Sequence, residues 1–338
     1  MLRYMSEKLS QSFLSYYSNL SKKEFSLLSF ERIFGGASRE TYKIRLKDSL
    51  GSEERLILRL SQESSLIETE QRIEYLAYSA FQKSNVPVPI LIDISEDDST
   101  FNAPFMLMRE LNGEAANPFT PNSYSPYEKD IGIQFWSILG EIAKKKIDNE
   151  IFKAFTKDLN KPFWKTELDK WVKVIEEDSI GVEPILDAGI RYLYKYPPKE
   201  SNNICMVHGD YRSGNFLYFK NKITGILDWE MAHLGDPLED LGWALSPIWS
   251  WQDRDRPAYL IPRDEALDVW EDSSAHKVDK KDLEWWELFA AIKGMAIWIS
   301  AGNEFKSGKN IDPINLFSAW IPGDIHLEII LNTLESKI

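Results

Sequence analysis

One cysteine, Cys205, stands in a chain of 338 residues, so no intramolecular disulfide can form. The four histidines are scattered, with no CxxC or HxxxH spacing, and give no zinc site. No window approaches the ~20 apolar residues that a membrane span requires. The N-terminus mixes Arg3, Glu7 and Lys8 with serines and lacks the uninterrupted apolar core of a signal peptide, so a cytoplasmic chain with no membrane partner is the expectation. The pattern G-x-x-x-x-G-K-[ST] is absent, which argues against a P-loop enzyme. Positive charge is scarce as well. The formal net charge is −13, and the basic runs Lys144-Lys145-Lys146 and Lys280-Lys281 sit among carboxylates as solvated helix faces. Nucleic acid, whose phosphates such a chain repels on average, is not an expected partner. Internal repeats and low-complexity tracts are missing too.

What is present is a composition of 43% hydrophobic and 28% charged residues, enough for one large core or two smaller ones. Periodicity favours two. Phe30–Phe34 and Thr41–Leu46 flank the turn-forming pair Gly35-Gly36, and in Arg55–Leu60 the residues Leu56, Leu58 and Leu60 alternate with Ile57 and Arg59, so three strands are expected. Across Ser64–Lys83 the apolar positions Ile67, Ile73, Leu76, Ala77, Ala80 and Phe81 recur at helical spacing, and Asn85 with Pro87 ends the run. Ile90–Ile94 and Pro104–Leu111 read as two further strands. Beyond Asn112-Gly113 the pattern turns helical, at Ile131–Lys146, Lys161–Glu177 and Pro184–Tyr196. The expectation is an α+β chain with a small sheet-rich lobe, residues 1–111, carrying one key helix, and a larger, mainly helical lobe, residues 112–338. The tryptophans near Trp285-Trp286 and Trp298 continue the helical half and read as core.

The most informative stretch is His208-Gly-Asp-Tyr-Arg-Ser-Gly-Asn215, followed by Ile226-Leu-Asp-Trp-Glu230. Asp210 and Asn215 have the D-x-x-x-x-N spacing of a kinase catalytic loop, with His208 two residues before the aspartate. Asp228 lies thirteen positions beyond Asn215, and the intervening Phe216–Phe219 and Ile223–Leu227 read as strands joined by Lys220-Asn221-Lys222. A hairpin there brings Asp228 back toward Asn215. Phosphoryl transfer asks the protein for charge neutralisation on the phosphates and for a positioned hydroxyl. Asn215 and Asp228 are candidate magnesium ligands, since hard oxygen donors suit that ion. Asp210 is the candidate base that orients the acceptor hydroxyl. The ordinary alternative is that Asp and Asn in a glycine-bearing stretch are turn residues. Asp236-Pro237-Leu238-Glu239 reads as a helix start with Asp236 as N-cap and Glu239 completing a capping box. Asp240 is either a brace for the catalytic loop or a helix-surface carboxylate, and Glu230 either reaches a second metal or the substrate, or lies on the surface.

These motifs, Val207–Asn215, Leu227-Asp-Trp-Glu230 and Gly235-Asp-Pro-Leu-Glu-Asp-Leu241, resemble the aminoglycoside phosphotransferase and choline kinase-like superfamily. The resemblance is nearest to the branch of kinase-like domains fused to some acyl-CoA dehydrogenases, and extends from about Ser29 to Leu334. It implies a protein-kinase-like two-lobed fold, an N-terminal nucleotide-binding lobe and a C-terminal catalytic and substrate-binding lobe. It also implies Asp210 as base, and Asn215 with Asp228 on Mg2+.

On the nucleotide side, Gly35-Gly36-Ala37-Ser38 sits where a kinase places its phosphate-covering loop, though an ordinary hairpin has the same glycines. Arg59 replaces the usual lysine of the third strand, as in the acyl-CoA dehydrogenase-associated branch, and its fork can hold the α- and β-phosphates. Glu70, three residues from both Ile67 and Ile73, is its expected partner, with Glu63, Glu68 and Glu74 as fallbacks. Pro104–Gly113, including Met106, Met108 and Glu110, resembles the strand and hinge that clasp adenine, or else is a buried strand. ATP is the expected nucleotide, with GTP left open.

Seven residues separate Asp228 from Asp236, too few for the activation segment of a protein kinase, so the expected acceptor is a small-molecule hydroxyl. Trp243, Trp249 and Trp251 are expected to wall its cleft. The acidic, aromatic-rich composition suits an aminoglycoside or choline. The branch resemblance suggests a hydroxyacid or hydroxyacyl thioester instead, with Arg212 available to an anionic group. The competing reading is a nucleotide-binding regulatory module of the same fold that has lost turnover. Either a monomer or a homodimer is compatible with the sequence.

Overall fold

Alternating side chains organise the N-terminal part of the chain. In a computed structural model of the protein, residues 2–33, 39–61, 67–117, 120–156, 161–179, 181–201 and 203–337 are described, the side chains of residues 2–6, 39 and 67–70 excepted. The chain divides into two compact units, Met1–Glu114 with Thr224–Met231, and Ala115–Ile223 with Ala232–Ile338. The expected division is a single one near Leu111. The structure adds a return, because Thr224–Met231 packs into the first unit.

The first unit runs α1 (Leu2–Ser21), β1 (Phe25–Ile33), β2 (Arg39–Asp48), β3 (Glu53–Ser61), α2 (Ile67–Phe81), β4 (Leu91–Ser95) and β5 (Phe105–Arg109). The five strands form one antiparallel sheet in the order β1-β2-β3-β5-β4. Leu56, Leu58 and Leu60 are buried on one face together with Ile44, Leu46 and Leu107, under Phe13 and Tyr17 of α1. Burying side chains of this size stabilises by roughly 1.5–3 kcal/mol each. Arg59 and Ser61 take the opposite parity and meet α2, where Ser61 donates to Gln71 at 2.6 Å. Helix α1 has no counterpart in the sequence reading. Its serines and tyrosines are weak helix formers, and Phe13 and Tyr17 become informative only when the sheet supplies a surface to cover.

The chain crosses units near β6 (Glu114–Ala115). The second unit then runs α3 (Glu128–Lys144), α4 (Asn149–Phe155), α5 (Phe163–Asp178), α6 (Pro184–Lys195), β7 (Cys205–Val207), β8 (Phe216–Phe219), β9 (Lys222–Ile226, whose last residues belong to the first unit), β10 (His233–Gly235), α7 (Pro237–Ala244), α8 (Arg263–Ser274), α9 (Lys280–Ser307) and α10 (Pro313–Glu335). The 28-residue α9 is the axis of this unit, packed by α5, α6, α7 and α10, and buries Trp285, Trp286, Phe289 and Ile292. The tryptophan pair is core, as its sequence context suggests. Helix α7 crosses α9 at Gly242, where a Cβ would lie 2.8 Å from the carbonyl carbon of Trp286. Any larger residue would force the helices apart, and α7 carries Asp240 and Trp243. Among the described residues, no helix is long and apolar enough to cross a membrane.

Candidate active site

In the second unit, β7 and β10 pair antiparallel, Val207 opposite His233 and Cys205 opposite Gly235. One strand therefore delivers the chain into His208–Asn215 and the other into α7. Gly209 (φ +84°) and Gly214 (φ +95°) adopt left-handed backbone, which glycine reaches without steric cost. Asp240, on the first turn of α7, accepts the backbone N–H groups of His208 (2.6 Å) and Gly209 (2.9 Å). It is the loop brace, not a surface carboxylate. Burial pushes its carboxyl up to about 6, against the pull of those two N–H donors. Tyr211 donates to the Phe135 carbonyl at 2.7 Å and Tyr124 to Ser213 at 2.9 Å, fastening the loop at further points.

Asp236 caps α7 as expected, accepting from Leu238 N–H at 2.8 Å with Pro237 at the first helical position. Glu239 does not complete a capping box. Its carboxylate turns instead to His233 (3.0 Å) and Lys293 (3.3 Å).

Three side chains converge on the Asp210 carboxylate. Arg212 Nε lies 3.0 and 3.1 Å from its oxygens, Trp243 Nε1 donates to Oδ1 at 2.9 Å, and Asn215 Nδ2 donates to Oδ2 at 2.6 Å. Asn215 Nδ2 also donates to the Asp210 carbonyl at 2.9 Å. Both bonds use the amide nitrogen, so the amide oxygen is the atom that suits a cation. Arg212 also donates from Nη1 to the Ser213 carbonyl at 2.9 Å and stacks its guanidinium 4.9 Å from the Trp249 ring centre, a brace on Asp210 rather than an unengaged anion receptor. His208 is fully buried and its Nδ1 accepts the Asp210 N–H at 3.2 Å. It shapes the loop from inside and offers no face to a substrate. Trp243 and Trp249 are core residues, packed with Ile248 and Ala290 and flanked by Trp251, not the open cleft wall that the sequence suggests.

In the first unit a second constellation forms. Arg59 pairs with Glu74 of α2, which is fully buried, while 18% of the Arg59 side chain stays exposed. The expected partner, Glu70, has its side chain outside the described residues, as do Glu63 and Glu68; Glu74, a fallback, is the residue that makes the pair. The segment Thr224–Met231 closes on the same place. Trp229 is fully buried 4.8 Å from the Phe81 ring, Ile226 N–H donates to the Pro87 carbonyl at 2.8 Å, and Asp228 N–H donates to the Tyr78 hydroxyl at 3.2 Å. Asp228 takes left-handed backbone (φ +67°), which Asp tolerates better than most residues. Burial disfavours the charge of Arg59, but Glu74, Tyr78, Asp228 and Glu230 more than offset it, so the guanidinium stays charged. Glu230 is thus part of the field around Arg59.

Met108 is buried opposite Ile57 in the ladder between β3 and β5. Glu110 is taken up structurally, by Lys43 at 2.5 Å and Arg55 at 2.7 Å. Burial works against its charge, but Arg55 and Lys43 outweigh it and hold the carboxyl below its usual range. Gly35, Gly36 and Ser38 lie outside the described residues.

One cluster has no signal in the sequence. Glu167 of α5, His233 of β10 and Glu239 of α7 bring their ligating atoms within 4.8 Å of one another. Ammonium groups already meet both carboxylates, Lys170 at 3.2 Å from Glu167 and Lys293 at 3.3 Å from Glu239, so the cluster is an ion-pair network. Burial lowers the affinity of His233 for its proton, but Glu167 and Glu239 dominate and raise it above the ordinary histidine value. In turn, burial raises the carboxyl of Glu239, but His233 and Lys293 prevail and hold it at about 2.

The sign of the pH effect follows. A raised histidine contributes stability that is complete below the unfolded value, about 6.5, and is lost as pH climbs through the folded value. Chemical denaturation of His233→Asn beside the parent chain should give the largest difference near pH 6 and a shrinking one toward pH 9. A difference that stays flat over that range would mean that His233 is neutral in the native protein.

Comparison with known proteins adds the family. The phosphotransferase enzyme family (APH) matches residues 29–276, more than two thirds of the chain. Acyl-CoA dehydrogenase family member 10 of Mus musculus is 27% identical over 223 residues, 64% of this chain and 20% of its own length. Acyl-CoA dehydrogenase family member 11 of Homo sapiens is 24% identical over 190 residues, 55% of this chain and 24% of its own. The aligned part thus spans only a fifth to a quarter of these curated relatives. Among solved structures, a Ralstonia eutropha protein classed with the aminoglycoside phosphotransferases superposes with a TM-score of 0.77 at 19% identity, covering 96% of this chain and 98% of that one. The GDP complex of aminoglycoside 2'-phosphotransferase-IIIa gives 0.63 at 13% identity over 98% and 99%. The streptomycin–ATP complex of APH(2")-IIa gives 0.57 at 16% identity over 84% and 89%. The fold is therefore the α+β, protein-kinase-like one, and with the family matched across His208–Asn215, Asp228 and Asp240, the chain belongs to the phosphotransferase enzyme family.

Proposed function

We propose that the chain is an ATP- and magnesium-dependent phosphotransferase that moves the γ-phosphoryl group to a hydroxyl of a small molecule. The observation that carries this reading is the Asp210 carboxylate, oriented by three donors on a loop whose own N–H groups are held by Asp240. An aspartate held so is suited to align an acceptor hydroxyl and take its proton. Arg212 and Trp243 keep the carboxylate facing one way, and His208 fixes the backbone that bears it.

Arg59, clamped by Glu74, binds α- and β-phosphate oxygens with the exposed edge of its fork. Met108 packs near the base. The donor set of Asn215 and Asp228, one amide oxygen and one carboxylate with no nitrogen or sulfur, fits magnesium. When bound, that ion neutralises charge on the phosphates. APH(2")-IIa carries ATP and aminoglycoside 2'-phosphotransferase-IIIa carries GDP in their complexes, so ATP is the proposed donor and GTP the alternative.

For the acceptor, the curated relatives carry acyl-CoA dehydrogenase names, which favours a hydroxyacyl thioester or hydroxyacid over an aminoglycoside or a choline-like alcohol. A phosphate-transfer screen with magnesium and ATP across these four classes tests the reading. Phosphorylated hydroxyacyl thioester or hydroxyacid is the expected product. Tight ATP binding with no product from any class would identify a nucleotide-binding module instead.

A further inference from the structure

Helix α9 carries a lysine, Lys293, only 1% exposed. Burying an ammonium group is costly unless its charge and its hydrogens are met by fixed partners. Around Lys293 they are. Its Nζ donates to the Gly209 carbonyl at 2.6 Å and lies 3.3 Å from Glu239 Oε1. The ring faces of Trp243 and Trp171 stand at 5.0 and 5.6 Å. Two of these partners lead directly to Asp210. Gly209 is the residue before it, in left-handed backbone, and its carbonyl begins the peptide unit whose N–H belongs to Asp210. Trp243 donates its indole N–H to Asp210 Oδ1 at 2.9 Å.

We propose that Lys293 and Trp243 are a pair of positioning residues that set the Asp210 carboxylate in its working direction. The ammonium pins the loop backbone from below through Gly209. It also draws the electron-rich face of Trp243 against itself, which fixes where the indole N–H points. The charge acts without touching the reacting groups, and Glu239, held ionised by His233, is the counter-ion that makes the buried lysine tolerable. Gly242 lets α7 lie directly on α9, so the two side chains share one rigid frame. The inference rests on the proposed role of Asp210 and adds to it the residues that hold that side chain still.

Two measurements on the full chain test it. In the first, tryptophan is labelled with 15N and the Trp243 indole resonance is assigned through Trp243→Phe. Lys293→Met should then move that resonance more than it moves the other eleven indoles of the twelve. An unmoved Trp243 signal would overturn the pairing, whatever the chain catalyses. In the second, turnover is followed with magnesium-ATP and 3-hydroxybutyryl-CoA as the probe acceptor, and with water as acceptor where that thioester is not used.

Trp243→Phe leaves a six-membered aromatic ring in the core, removes the N–H together with the pyrrole ring that bears it, and strands no buried charge, so it should fold even where Lys293→Met does not. Losing one hydrogen bond to a charged group should lower kcat about ten- to a hundredfold and leave KM for ATP within about twofold. Lys293→Arg should regain part of what Lys293→Met loses. If Asp210→Asn abolishes turnover while Trp243→Phe stays at the parent kcat, positioning by this pair is refuted. If Asp210→Asn itself changes nothing, the reading of Asp210 as base fails, and the indole measurement alone decides whether Lys293 orders the loop.

Discussion

Replacing Asp210 with Asn is expected to cut phosphoryl transfer by ~10² to 10⁴, the usual value of a positioned general base. The substitution preserves shape but not hydrogen-bond polarity. Asp210 now receives Arg212, Trp243 and Asn215, all donors. An asparagine can keep one oxygen toward Arg212 and Trp243, but its own N–H2 then faces the Nδ2 of Asn215, donor against donor. That mismatch costs about 1–3 kcal/mol and should appear as a lower Tm. Nucleotide binding depends in this scheme on Arg59, Glu74 and Asp228, so the Kd for magnesium-ATP should stay nearly unchanged. Calorimetric titration together with single-turnover transfer separates the two effects. Undiminished transfer would remove Asp210 from the chemistry.

Asp228→Asn should act on the other quantity. Asparagine accepts the left-handed backbone found at this position, φ +67°, and retains the N–H that meets the Tyr78 hydroxyl. The fold of Thr224–Met231, anchored by the buried Trp229, should therefore survive. The lost charge is another matter. Removing an anionic ligand should weaken magnesium-dependent nucleotide binding by at least about 10- to 100-fold, the range already seen for groups that merely support metal ligands. Affinity measured in EDTA should change little, because the carboxylate matters chiefly through the ion. A magnesium requirement that is the same in parent and variant would take Asp228 out of the metal site.

Particular elements show how far the chain could be read before folding. The alternation of Leu56, Leu58 and Leu60 with Arg59 was sufficient for β3 and for which face Arg59 takes. Helical spacing was sufficient for α2 and α6, the latter beginning at Pro184 as expected and ending within a residue. Strand β8, Phe216–Phe219, has the expected bounds. The partner of Arg59 was not legible in the same way. Glu70 and Glu74 are four residues apart on one helix and so share a stripe; which of them meets Arg59 depends on how far α2 slides along the sheet. Propensity hid α1, whose tyrosines and serines carry little helical bias without the sheet face that Phe13 and Tyr17 cover.

By itself the sequence determined the chemistry on offer: oxygen donors at Asp210, Asn215 and Asp228, a fork at Arg59, and no thiol or histidine set for a softer metal. These are local facts, written in spacing along one strand or one loop. Tertiary structure alone decided what holds those groups. The two N–H bonds of Asp240, the indole of Trp243 on Asp210 and the chain of charge from Glu239 through Lys293 to Gly209 join residues 31 to 84 positions apart. No periodicity encodes such meetings. They follow from how α7, α9 and β10 pack, because a buried charge must find its partner wherever the folded chain places one.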